Sequence, residues 1–346
     1  MLVRQFWNFL IALVVVFVVR GFSAPPSRSE SRPYSVIEQW KLGGEGGWDR
    51  LAVDPKQSRL YVPRSNRVVV IDTRTGQELG EIRGMRNVHS VCLDPDGQRG
   101  WLTDGATGMV NAFDRSTFRI SASIPASADP DAIVFDPVTR SVFVFAGQGD
   151  GVTAIDAASN HIVGTLSLPG RPAEAVSDGK GTMFASLQDT GRIVRINTAS
   201  REVTSNWLLP NCIGPTGIAV DHGRVYSVCE NRQLLAIDAG TGKILASTEV
   251  AEGARNLAVD PQSRTIFVAS GGGTLDVVKE RSSGELSIAQ NLTTRPGART
   301  LILDSATSRI YLPTAQFGLR TGEISEELRF RPTPVPGSFV VVVVGD

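Results

Sequence analysis

Apolar residues recur along the chain in short runs, each closed by a turn signal, and the runs come in a fixed order. One motif opens the order: LAVDP (51–55), VCLDP (91–95), IVFDP (133–137), IAVD (218–221), LAVDP (257–261) and LILD (301–304), with AVSD (175–178) as a weaker copy. The closing aspartates, Asp54, Asp94, Asp136, Asp178, Asp221, Asp260 and Asp304, stand about 42 residues apart. A second run follows (RLYV 59–62, SVFVF 141–145, TIFV 265–268, RIYL 309–312), then a third that ends in Ile-Asp and a polar turn (IDTRTG 71–76, IDAAS 155–159, IDAGTG 237–242). A fourth run closes the unit (77–82, 161–168, 243–250). Runs this short, rich in branched residues and bounded by Asp, Thr and Gly, predict strands. The carboxylate at the strand end accepts backbone N–H bonds, and the Gly takes the positive φ that the turn requires. Four strands per unit and seven units predict an all-β, seven-bladed β-propeller.

The seventh unit stops after two strands. An insertion (318–337) follows, and SFVVVVVGD (338–346) then reads as a third strand. SVIEQWKLG (35–43) has the pattern of the fourth strands elsewhere. Pairing it beside 339–344 closes the ring three-plus-one and removes an open sheet edge. Residues 1–32 follow a different rule: Arg4 precedes a 14-residue apolar run (6–19), and Gly21 and Ser23 place small residues before a cut at Ala24. The run is shorter than the ~18 apolar residues of a spanning helix, which predicts a signal peptide over 1–23, with an uncleaved anchor as the alternative. Residues 24–32 read as a flexible tether, and 33–346 as the propeller. The expected location is therefore exported, periplasmic or extracellular, or membrane-anchored facing outward.

Charge and cysteines narrow the chemistry. Lys and Arg (35) balance Asp and Glu (35), so the basic footprint of a duplex-binding protein is missing and nucleic acid is not an expected partner. Three cysteines without C-x-x-C spacing exclude a zinc ribbon, a thioredoxin-like site and c-type haem attachment. Three histidines and no G-x-S-x-G elbow leave little support for nucleophilic hydrolysis, so no catalytic residue is assigned. Gly271–Gly273 sits between strand runs and precedes no helix, so it is not a phosphate loop.

The repeats resemble the YVTN-type β-propeller repeat family, in its YncE-like branch. The resemblance is carried by GGEGGWD (43–49), DAI (131–133), GPTGIAVD (214–221), GART (297–300), RIYLPTAQFG (309–318) and VPGSF (335–339). It implies an exported propeller, in a family without one settled role; binding without catalysis is the function expected of this chain. The family's relatives include surface proteins and a single-stranded-DNA binder, which makes single-strand binding one alternative. Seven-bladed lactonases share the repeat style, which makes lactone hydrolysis another.

On such a fold the innermost strands begin at one mouth of the central channel. Five residues before each closing aspartate lies one ring: Asp49, His89, Asp131, Ala173, Thr216, Arg255 and Arg299. The positions three before the aspartate are all apolar, so a polar ring at one strand phase marks a candidate ligand site. Arg255, Arg299 and His89 suit a small polar or anionic ligand; mutual Arg–Asp pairing across a water-filled channel is the competing arrangement. Glu174 neighbours the ring on the opposite strand phase. The family pattern carries acids at the positions of Ala173, Arg255 and Gln316. With only Asp49 and Asp131 left, neither a metal nor a cofactor is expected. Cys212 and Cys229 fall on the same face of the fifth blade and predict a disulfide in an oxidising compartment, as family relatives carry a similar pair. Cys92 reads as a buried thiol. The insertion at 318–337 reads as a lid over the mouth or a solvated loop. The expected partner is an unidentified small ligand or protein, and the expected state a monomer.

Overall fold

A computed structural model describes residues 32–281, 283–318 and 333–346 of the protein. Residues 1–31, which include the expected signal peptide, lie outside the described residues, as does most of the insertion (319–332). Among the described residues, no helix is long and apolar enough to cross a membrane.

Residues 33–346 fold as seven four-stranded antiparallel sheets. Six are continuous in sequence; the first runs Ala52–Asp54, Arg59–Arg64, Arg67–Asp72 and Glu78–Arg83 from channel to rim. The seventh takes Ile302–Asp304, Arg309–Thr314 and Val340–Gly345 from the C-terminal end and Ser35–Lys41 as its outermost strand. Ser35 pairs with Gly345 and Lys41 with Val340, antiparallel. The short strands Phe317–Gly318 and Thr333–Pro334 pair at the base of the insertion.

The middle strands of each blade are buried on both faces, which is why they read as near-continuous apolar runs. The rim strands alternate in exposure with period two. The buried apolar residues sort into seven clusters, one between each pair of neighbouring blades, including the seventh and the first. Each sheet is therefore covered by its neighbours, and the ring as a whole is the core. Cys92 sits in the cluster between blades 2 and 3 as a free, buried thiol, and burial pushes its pKa well up.

The turns behave as their chemistry requires. Asp114 accepts from the Ser116 and Thr117 amides (2.9 and 2.8 Å), and Asp238 from Gly240 and Thr241 (3.1 and 2.8 Å). The glycine that ends this turn has a second duty. Gly76 (φ 70°) and Gly242 (φ 75°) lie under Trp40 and Trp207, where a Cβ would come within 2.4 and 2.3 Å of the indole. These positions need both the left-handed backbone and the missing side chain.

Candidate functional site

Each innermost strand that pairs beyond its apolar run carries a register irregularity at its mouth end. The shifts fall between Val88 and Val91, Pro130 and Ile133, Pro172 and Glu174, Pro215 and Gly217, and Ala254 and Asn256. A hydroxyl from the second strand braces several of them: Thr103 Oγ1 donates to the Asp131 carbonyl (3.0 Å), Ser186 Oγ to the Thr216 carbonyl (3.2 Å) and Ser227 Oγ to the Gly217 carbonyl (3.2 Å). An extra residue on one strand cancels the alternation locally, so two successive side chains can face the channel.

That corrects the placement of Glu174. Strict alternation puts it on the far phase from the ring, yet its carboxylate takes the Arg50 Nε at 2.9 Å and the Asn256 Nδ2 at 3.1 Å inside the mouth. Arg50 is the residue the ring pattern misses altogether. From blade 1 it reaches Asp131 Oδ1 on blade 3 (2.5 Å) and both Glu174 and the Ala173 carbonyl on blade 4, with Asp49 Oδ1 at 3.9 Å. Asn256 continues the chain of contacts to blade 7, accepting from the Leu301 amide at 3.1 Å. Arg50, Asp131, Glu174 and Asn256 thus tie blades 1, 3, 4, 6 and 7 together at the channel mouth.

This tie borders a cavity of about 200 Å³ lined by six of the seven ring positions: Asp49, Asp131, Ala173, Thr216, Arg255 and Arg299 are lining residues, and His89 is not. 

Gly147, Arg171, Gln188 and Thr300 complete the polar wall, with no aromatic side chain among the lining residues. Thr216 is buried, and its hydroxyl donates to the Val228 carbonyl of its own blade (3.4 Å). His89 stands behind Asp49: Nδ1 meets Asp49 Oδ2 at 2.9 Å, while Nε2 faces Asn87 Nδ2 at 2.9 Å and Asp129 at 3.6 Å.

The two signs of charge are segregated. Asp49, Asp131 and Glu174 gather around Arg50, whose pKa rises well above its ordinary value because these carboxylates outweigh the cost of burial. Burial pushes Glu174 up, against the pull of Arg50. Burial also acts to raise Asp49, but the His89 hydrogen bond and the charges of Arg50, His89 and Arg299 hold it below its usual range. The Asp49 hydrogen bond in turn raises His89. Arg255 and Arg299 line the same cavity and form no ion pair or side-chain hydrogen bond with any described residue. Burial and the neighbouring Arg255 charge lower the pKa of Arg299, with Asp49 acting against them. The expected Arg–Asp pairing is therefore present, but Arg50 makes it and the ring arginines do not.

Asp49, His89 and Asp131 bring one metal-ligating atom each to within 4.8 Å of one another. The Arg50 guanidinium already supplies positive charge to both carboxylates of that group. On the same face, Cys212 and Cys229 are joined, with Cα atoms 5.4 Å apart.

No family model matches the chain. It is 30% identical over 146 residues to the uncharacterized protein YncE of Salmonella typhimurium, covering 40% of this chain and 41% of that one. The YncE of Salmonella typhi is 29% identical over the same length. Over that stretch the chain is similar to YncE. It spans about two fifths of the length of the curated relatives it matches. Among solved structures, U3-55K superposes with a TM-score of 0.76 at 11% identity, over 90% of this chain and 99% of that one. The hydrazine synthase of Kuenenia stuttgartiensis gives 0.69 at 16% identity, over 77% and 92%. At these identities the likeness is one of fold, and the fold is a β-propeller.

Proposed function

We propose that this YncE-like propeller is a non-catalytic binding module whose channel mouth holds a small polar anion. The observation that carries the reading is the state of Arg255 and Arg299: two guanidinium groups close enough to depress one of their pKa values, lining a cavity and unpaired by any described carboxylate. Neighbouring cations in a partly dehydrated site favour an anion, and guanidinium forks match carboxylate and phosphate geometry. The predominantly polar lining, without an aromatic side chain, fits a hydrophilic ligand better than the stacked bases of a single strand. Export would present the site outside the cytoplasm, where the Cys212–Cys229 bond is stable.

Acetate, glycolate and inorganic phosphate, titrated into the full-length protein by calorimetry, test this. At least one is expected to bind, and the Arg255→Ala/Arg299→Ala double variant should lose tenfold or more in affinity. Equal affinity in the double variant, or no binding of any of the three, would overturn the reading.

A further inference from the structure

The cavity has a second pole that a simple anion leaves unused. Three carboxylates, Asp49, Asp131 and Glu174, share one guanidinium. Even a protonated His89 beside Asp49 leaves that side one negative charge in excess, and Asp129 lies just behind the imidazole. Their acceptor capacity is also incomplete. Asp131 Oδ1 takes the Arg50 bond, whereas Asp131 Oδ2 has no hydrogen-bond donor among the described residues, and Asp49 Oδ1 has only the distant Arg50 Nη1 at 3.9 Å. Both residues line the same cavity as Arg255 and Arg299. No ion pair joins Asp49 or Asp131 to Arg255 or Arg299 among the described residues, so the cavity offers open charges of both signs.

We infer that the mouth selects a small zwitterion, with its carboxylate on Arg255 and Arg299 and its ammonium on Asp49 and Asp131. This rests on the anion-binding reading above and adds a cationic requirement to it. An ammonium group brings three donors, which suits open carboxylate oxygens better than a further guanidinium fork would. A cavity of about 200 Å³ has room for a compact amino acid and excludes a long peptide from its interior.

Three matched pairs separate the two claims: glycine with acetate, β-alanine with propionate, and 4-aminobutyrate with butyrate, each titrated calorimetrically into the full-length protein. In at least one pair the zwitterion is expected to bind tenfold tighter or more. Asp49→Asn should cut that advantage below threefold, while carboxylate binding keeps its dependence on Arg255 and Arg299. Glu174→Gln provides a second test of the acidic pole if Asp49→Asn fails to fold, with thermal melting as the check. Carboxylates that bind as tightly as their zwitterions, with the Arg255 and Arg299 dependence intact, would overturn this inference and leave the anion reading standing. Absence of both kinds of binding would overturn the two together. An acetate affinity that matches glycine only when Ca²⁺ or Zn²⁺ is added would also overturn it, because a metal ion would then be the missing cation.

Discussion

Arg50 shows how much one side chain can organise. It is a strut from blade 1 across the channel mouth that meets carboxylates on blades 3 and 4, and its side chain is largely enclosed. Replacing it with Met keeps the volume and removes the charge, leaving three carboxylates facing one another across the mouth. Breaking a buried pair costs roughly 3–5 kcal/mol, and the partial exposure of this cluster brings the expected loss for Arg50→Met to about 2–3 kcal/mol. Chemical denaturation at neutral pH measures it, and a loss under about 0.5 kcal/mol would show that water already compensates the carboxylates. The ring of polar positions was legible in the sequence because the closing aspartates set a common phase. Arg50, Glu174 and Asn256 were not, because that count assumed unbroken alternation. For Arg50 and Asn256 a signal was present all the same: polar doublets at Asp49-Arg50 and Arg255-Asn256, each where one of the two should have faced apolar packing.

At the scale of the element, the repeated third-strand turn governs the response to acid. The Arg74 side chain holds Asp72 down at about 2, and the Ser116 hydroxyl with the Thr117 amide does the same for Asp114. Ser159 lowers Asp156, and Thr241 lowers Asp238, by the same pair of side-chain and backbone bonds. A carboxylate with a depressed folded pKa stabilises the fold above its unfolded pKa of about 3.8, and that contribution fades as pH falls toward the folded value. The melting temperature is therefore expected to fall between about pH 4 and pH 2 through four turns acting alike. Asp114→Ala should start lower at pH 7 and fall less steeply across that window; an unchanged slope would show that other carboxylates control acid unfolding. A second element-scale staple is the Cys212–Cys229 bond, 17 residues apart, which ties the approach loop of blade 5 to the end of its second strand. Loop entropy for a closure of this length predicts a loss of about 3 kcal/mol in Cys212→Ser/Cys229→Ser, read from denaturation under non-reducing conditions.

The whole molecule depends on closure. Balanced charge in the composition conceals a mouth where charges of both signs gather, and ordinary apolarity conceals a core divided among seven interfaces. Both features come from the ring, and the ring is completed by noncovalent pairing between Ser35–Lys41 and Val340–Gly345. That outer strand also brings Trp40, which packs on Tyr311 (5.4 Å between rings) and covers Gly76 of blade 1, so it binds the last blade to the first. Without it, the fully buried run Val341–Val344 would lie at a bare sheet edge, a template for pairing with another chain. Deleting residues 1–42 should therefore convert the protein into oligomers or aggregates, with light scattering after gel filtration as the measurement. Trp40→Ala keeps the strand's backbone bonds and removes only the wedge; with a buried aromatic lost, it should melt earlier by roughly 3–5 kcal/mol of stability yet elute at an unchanged mass. A deletion variant that remained a monomer with full stability would mean that the seven inter-blade clusters hold the ring unaided, and the N-terminal strand would then be an ornament on a propeller already closed.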